Sequence, residues 1–250
     1  MSDIVTEHSG SILTIQLNRP AKKNAMTSSM YIAMADALHD ATKDDQTRVV
    51  LWHGAGHSFT AGNDLEDFMK NPPGPGESPQ AQLINALIDF EKPLVAAVQG
   101  VAIGGGTTML AHCDFVYAGE SAKFQLPFVN LGLVPEFGSS YLLPLRFGYV
   151  RAAELVLLGQ PFDAARAAEL GLVTQVVPDQ NVLVTATETA RKLAEKPTGA
   201  LQACKRLMKR TSREQLEQAV TFEMEEFAVR VRSAEAKEAF TAFFEKHAHA

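Results

Sequence analysis

Three successive glycines, Gly104-Gly105-Gly106, stand where an apolar strand pattern gives way to a helix start. A glycine run at that point lets a ligand approach the main chain where a Cβ would block it, and it leaves amide N–H groups exposed as donors. Donors at the positive end of a helix suit an oxyanion or a phosphate, and glycine alone does not choose between them. Thr107, Thr108 and Met109 follow the run, so neither GxxxxGK[ST] nor GxGxxG is met and the nucleotide-phosphate readings fall away. A tightly packed helix start with no chemistry is the plain alternative. A second stretch of mostly small residues, Ser58 to Leu65, also follows a strand pattern. If the two turns face each other, two amides converge on one carbonyl oxygen as an oxyanion hole. Loss of one such donor costs roughly a hundred- to thousand-fold in rate.

A titratable group is also needed, and Glu136 is the acid with a suggestive setting, flanked by Val134, Pro135 and Phe137. Burial there raises its pKa, while a helix beginning near Gly138 or Ser139 favours the anion; the sequence leaves these two effects opposed. The plain alternative is a first-turn glutamate with a capping role. Asp64 either braces its turn through backbone hydrogen bonds or serves as a second acid. His53 and His57 are four apart, but Gly54 and Gly56 break the helix that a metal pair would need, and His247 and His249 read as a frayed tail. No metal or redox cofactor is implied.

These groups need a scaffold, and 250 residues suffice for one large domain with a substantial core. Lysine and arginine number 23 against 29 acidic residues, a net charge of 23 − 29 = −6, which gives no reason to expect a nucleic-acid or anionic-membrane partner. The two cysteines, Cys113 and Cys204, lack metal or redox spacing, fit a reducing compartment and read as core residues. No signal-peptide pattern, membrane-length apolar run or peroxisomal tail is visible, so a cytoplasmic location is expected.

Leu13, Ile15 and Leu17 alternate with polar residues as a half-buried strand does, ending at Asn18-Arg19-Pro20. Thr27 is placed to cap a helix bearing Met30, Met34 and Leu38, and Val49 to Trp52 reads as a buried strand. Asn71-Pro72-Pro73-Gly74-Pro75-Gly76 supports neither helix nor strand and is expected to be a mobile loop. A helix around Leu83, Leu87 and Phe90 follows, then strands at Leu94 to Val98 and Asp114 to Tyr117. Beyond about residue 150 the chain reads as helical. Gly159 and Gly171 stand as helix C-caps, Asp163 as an N-cap, Ser212 with Gln215 as a capping box, and Phe240, Phe243 and Phe244 as an aromatic stripe that packs on the body or a neighbouring subunit. This order indicates an α/β fold with a helical C-terminal part.

Three segments together resemble the crotonase, or enoyl-CoA hydratase/isomerase, superfamily: LNRPAKKNAM (Leu17 to Met26), FTAGNDL (Phe59 to Leu65) and KPLVAAVQGVAIGGGTTMLAHCD (Lys92 to Asp114). The similarity runs nearly end to end. It implies a crotonase-like spiral of repeated ββα units over residues 1–195 and a C-terminal α-helical trimerisation region over 196–250, assembled as a homotrimer or a hexamer. It implies an acyl-CoA thioester as substrate, with coenzyme A part of that substrate rather than a cofactor. By the same resemblance the oxyanion donors are the amides of Ala61 and Gly105. Substrate contacts are expected from Lys22, Lys23, Ala25, Gly62, Asn63, Asp64, Leu65, Phe68, Gly104, Thr108 and Phe128. Lys22 and Lys23 would meet CoA phosphates or simply be solvated, and Phe68 and Met69 would line the acyl pocket or cap the core.

Family hydratases orient water with two glutamates; here those positions hold Thr108 and Phe128, neither of which acts as a general base near neutral pH. The string PEFGSS, with AGNDLEDF, looks most like the peroxisomal-type Δ3-Δ2-enoyl-CoA isomerases, in which a glutamate at the place of Glu136 shuttles the proton. The expected reaction is therefore the shift of a 3-enoyl-CoA double bond to the 2-position. A hydratase or other lyase or hydrolase with a displaced acid such as Asp64, and a noncatalytic acyl-CoA-binding protein, are the alternatives.

Overall fold

The computed structural model describes residues 2–71 and 78–248, so the proline-glycine segment lies, apart from Asn71, outside the described residues. Strands β1 (Ile4–Ser9) and β2 (Ile12–Leu17) form a hairpin, and a 3-10 turn at Pro20–Lys22 leads to helix α1 (Ser28–Lys43). Thr27 caps α1 through its hydroxyl and the Met30 amide. Then follow β3 (Val49–Gly54), α2 (Leu65–Lys70), α3 (Pro79–Asp89), β4 (Leu94–Val98), β5 (Val101–Ile103) and α4 (Gly105–Thr108). Strands β6 (Phe115–Gly119) and β7 (Lys123–Gln125) precede the helical half: α5 (Ser139–Phe147), α6 (Tyr149–Leu158), the short β8 (Phe162–Asp163), α7 (Ala164–Glu169), β9 (Gln175–Val177) and α8 (Val182–Ala194). The chain ends in α9 (Thr198–Lys209), α10 (Arg213–Arg230) and α11 (Ala234–Ala248).

Consecutive strands divide between two sheets. The larger has the order β1-β2-β3-β4-β6-β9 and is parallel except between β1 and β2; the smaller has the order β5-β7-β8. Thus β4 and β5, and again β6 and β7, give one strand to each sheet, which is the ββα spiral that the motifs implied. Strands covered on both faces must be apolar almost throughout, and Val49 to Trp52 and Leu94 to Val98 are. Val49, Leu51, Val95 and Ala97 turn toward the Ala186 and Ala190 face of α8. Val50, Trp52, Ala96 and Val98 turn the other way into the main core with α1 and α3. β1 was not legible because its residues after Ile4 are exposed along an edge and, Val5 apart, polar.

The helical half closes over this body. Phe227 of α10 and Phe240 of α11 meet Phe68 of α2 edge-on, at centroid distances of 5.7 and 6.3 Å. Phe68 is therefore core, while Met69 is exposed. On α9, the Lys205 ammonium is buried on the Asp114 carboxylate (2.6 Å) and the Lys92 carbonyl (2.8 Å). Gly159 and Asp163 take their expected caps, and Gly171 follows α7 at a positive φ. Two expectations need correction. The Ser212 hydroxyl turns back to the Lys209 carbonyl and leaves the capping box unformed, because Ser212 already has helical dihedrals. Cys204 is exposed on the outer face of α9, whereas Cys113 is buried.

The turn that joins β4 to β5 sits against the segment after β3. A Cβ on Gly100, whose φ is +61°, would overlap the His57 carbonyl oxygen, whereas a Cβ on Gly10, at φ +60°, would meet open space. Gly10→Ala should cost about 1 kcal/mol of backbone strain, and Gly100→Ala about 3 kcal/mol once the overlap is added. At roughly 2–4 °C per kcal/mol for a chain of this size, thermal melts should separate the two clearly. Equal losses of Tm would show that this close approach does not carry stability.

Candidate active site

The two small-residue turns do face each other. The Thr60 amide donates to the Val101 carbonyl at 3.0 Å and the Ile103 amide returns a bond to the Thr60 carbonyl at 3.1 Å, a one-residue parallel bridge between the segments. On the other side, the Met26 amide donates to Gly62 and the Asp64 amide to Met26, each at 2.8 Å. The Thr60 hydroxyl donates to the Asn24 carbonyl (2.6 Å) and accepts from the Gly62 amide (3.1 Å). Gly106 is required here, because a Cβ on it would overlap the Thr60 methyl group.

This clasp decides which amides remain available. Ala61 donates its amide to the Lys23 carbonyl at 2.9 Å, so the expectation that it forms an oxyanion hole is corrected. Gly104 is likewise engaged, with the Gln125 carbonyl at 2.9 Å. In the two turns the amides of Asn63 and Gly105 have no acceptor among the described residues, and neither do those of Leu65 and Gly106 in the first turns of α2 and α4. α4 is a single turn that passes into a 3-10 helix at Met109–His112, so its amides, and not a long helix dipole, are what the glycine run offers.

Glu136 stands against this point at 7 % exposure. A Cβ on Gly105 would lie 2.8 Å from Glu136 Oε1 and 3.2 Å from the Tyr31 hydroxyl, which is why that position is glycine. The Tyr31 hydroxyl donates to Asn63 Oδ1 at 2.6 Å, orienting the amide so that Nδ2 donates to Glu136 Oε1 at 3.4 Å. The opposition left open by the sequence resolves toward burial, which with the charge of Glu223 pushes Glu136 up to about 8 against the weaker pull of Asn63. The helix start that favoured an anion is occupied by another residue. Gly138 and Ser140 donate their amides to the two carboxylate oxygens of Glu223, each at 2.7 Å, so Glu136 has no capping role. Both glutamates line a cavity of about 30 Å³ with Ser78, Gln80, Ile84 and Phe227.

The remaining candidates fall around this centre. Thr108 is fully buried, with its hydroxyl toward the Gly104 and Gly105 carbonyls, and Phe128 is buried in the core. Asp64 caps α2, accepting from the Glu66 and Asp67 amides, and pairs with Arg19 at 3.0 Å. Leu65 opens α2 partly buried, Gly62 is buried at φ +87°, Ala25 is half-buried, and Lys22 and Lys23 are exposed. Sequence reasoning missed Tyr31, Glu223, Arg19 and Asn24. Arg19 and Asn24 lay inside a quoted motif; Asn24 adopts a positive φ and donates to the Ala55 and Ser58 carbonyls at 2.9 and 2.7 Å. Tyr31 and Glu223 sit on helices with no local mark of chemistry.

The family model described as "Enoyl-CoA hydratase/isomerase" matches residues 7–250. The 1,2-epoxyphenylacetyl-CoA isomerase of Escherichia coli (strain K12) is 36 % identical, over 98 % of this chain and 97 % of that protein. The 2,3-dehydroadipyl-CoA hydratase of the same organism is 32 % identical, over 98 % and 97 %. Enoyl-CoA delta isomerase 2 of Rattus norvegicus is 37 % identical over 85 % of this chain, which spans 56 % of that longer protein. The structure of OdaA from Pseudomonas aeruginosa superposes with a TM-score of 0.95 at 45 % identity, covering 97 % of this chain and 99 % of that one.

The environment of Glu136 has a consequence for stability. A carboxyl shifted from 4.5 to about 8 holds its proton more tightly folded than unfolded. Its contribution is fully present below pH 4.5 and is lost as pH rises through about 8. Glu136→Gln should therefore become more stable relative to the wild type as pH rises from 5 to 9, by a few kcal/mol at about 1.4 per unit. Urea unfolding at several pH values measures this, and a pH-independent difference would contradict the burial of the ionisable group.

Proposed function

The chain belongs to the enoyl-CoA hydratase/isomerase family, and we propose that within it this protein moves the double bond of a 3-enoyl-CoA to the 2-position. The observation that carries this reading is the buried carboxyl of Glu136 beside Gly105, with Thr108 and Phe128 where a hydratase pair would stand. The thioester oxygen would accept from the amides of Asn63 and Gly105, neither of which has an acceptor among the described residues. Ionised Glu136 removes a proton from C2, and the electron pair moves into a dienolate whose negative oxygen those amides stabilise. The same proton is then delivered to C4, the double bond forms between C2 and C3, and Glu136 is a carboxylate again. One group serves as base and then acid, so a second carboxylate is unnecessary, and the apolar surroundings keep water from the intermediate.

A proton affinity near 8 makes Glu136 a stronger base toward carbon than an exposed glutamate, while leaving roughly one molecule in ten ionised at pH 7. The alternative reading as a hydratase has one point in its favour, since Glu223 lines the same cavity and relatives include a hydratase. Against it, both Glu223 oxygens already accept from main-chain amides, and Asp64 caps α2 and pairs with Arg19 without lining that cavity.

Purified protein is expected to convert 3-enoyl-CoA to 2-enoyl-CoA with little hydration of the product. Its kcat/KM should rise about tenfold per pH unit below pH 8 and then level, because the base must be ionised. Glu136→Gln should lose turnover and still bind the thioester. Full isomerisation by that variant would overturn the assignment, and hydration as fast as isomerisation would favour the lyase reading.

A further inference from the structure

Glu136 hangs from an unusual turn. Phe137 and Gly138 both have positive φ, +62° and +67°, and a phenylalanine holds that conformation only under constraint. The constraints come from two sides. His112, held neutral by burial that pushes it down to about 3, donates from Nε2 to the Phe137 carbonyl at 2.7 Å. From the opposite side α10 supplies Glu223, whose two oxygens take the Gly138 and Ser140 amides, and Leu216 and Val220 of the same helix pack where a Cβ on Gly138 would stand. Glu223 is 7 % exposed, has no cationic partner among the described residues, and faces the cavity that Glu136 faces. A carboxylate buried this far and served only by main-chain amides is an expensive way to cap a helix that a serine or aspartate at the cap position would serve.

We propose that Glu223 is the positioning residue for Glu136: it fixes the turn that aims Glu136 at Gly105 and faces it with a second carboxylate, so that the seating of α10 and the proton affinity of Glu136 are coupled. This rests on Glu136 as the proton-transferring group. The titratable groups that face Glu136 are Tyr31 from α1 and Glu223 from α10, while α3 presents only the uncharged Gln80 and, at its cap, Ser78. The charge of Glu223 raises Glu136, and burial raises Glu223 itself to about 7 against the lowering pull of its amide donors. Lifting α10 away removes the brace and the neighbouring charge together, and admits water.

The test is a carboxyl ¹³C titration of glutamate-labelled protein, with the Glu136 and Glu223 resonances assigned by their loss in the respective variants. Glu223→Gln should move the Glu136 midpoint down by on the order of one pH unit, a tenfold change in its ionisation ratio at fixed pH. The acidic limb of kcat/KM for 3-enoyl-CoA should move the same way, with kcat lowered because the turn is braced by one oxygen fewer. A folded Glu223→Gln with an unmoved Glu136 midpoint would overturn the proposal and reduce Glu223 to a staple, whatever its melting temperature. Should that variant fail to fold, Glu223→Asp decides: the shorter side chain keeps its charge but cannot reach both amides, so the Glu136 midpoint must still fall, by less, and an unmoved midpoint overturns the proposal equally. The titration needs no turnover. A protein inert toward 3-enoyl-CoA would remove the isomerase reading while a shifted midpoint still supported the coupling; an unmoved midpoint in an active enzyme would do the reverse.

Discussion

The site depends on one main-chain contact, the pair of hydrogen bonds by which Thr60 grips Val101 and Ile103. Two loops from different turns of the spiral must approach backbone to backbone there, and main chains come that close only where side chains are missing. Gly100 and Gly106 supply those gaps from the second loop. The amide pattern follows from the register. With Thr60 and the segment from Asn24 to Met26 holding alternate groups of the first loop, Ala61 points to Lys23 and the Asn63 amide is left without an acceptor. A shift of one residue would exchange an engaged amide for a free one, so the bridge decides which amides of the loop are left without acceptors.

The second determinant is how two buried carboxyls are treated differently within one small cavity. Glu223 receives two main-chain donors and Glu136 a single long bond from Asn63. Hydrogen bonds to the charged form favour ionisation, and burial opposes it. The amides at the start of α5 therefore support the carboxylate of Glu223, while Glu136, two residues ahead of the helix cap, is left with burial and a like charge nearby. The difference in environment between the two acids lies in the distribution of donors, since the residue type is the same.

Much of this was legible in the sequence, for physical reasons that differ by residue. The glycine run and the apolar strands could be read because backbone approach and two-sided burial restrict residue type locally. Glu136 stood out because an acid among Val134, Pro135 and Phe137 is locally anomalous. The Ala61 assignment failed because neighbouring amides in a small-residue loop are indistinguishable until the register is known. Ser212 failed for a related reason, since a capping hydroxyl has several carbonyls and amides within reach and local spacing does not choose among them. Tyr31 and Glu223 were invisible because their partners lie 32 or more positions away in the chain, and each sits on an otherwise ordinary helix.

That pattern bears on how reactions diverge on this scaffold. Residues that demand a backbone geometry, such as Gly105, Gly106 and the positive-φ Asn24, define the acyl-CoA framework and say nothing about where protons go. On the proposed reading the reaction would turn on side chains brought to that framework from elsewhere: Tyr31 through Asn63, Phe128 from the segment after β7, Glu223 from α10. Each can change without disturbing the clasp, because none of them contributes to its main-chain bonds. Relatives of nearly equal identity can therefore be named isomerase or hydratase. In this chain the helical cover reaches the candidate site: α10 brings Phe227 against Phe68 and Glu223 against the turn that carries Glu136, so the same helix packs the body and braces that turn.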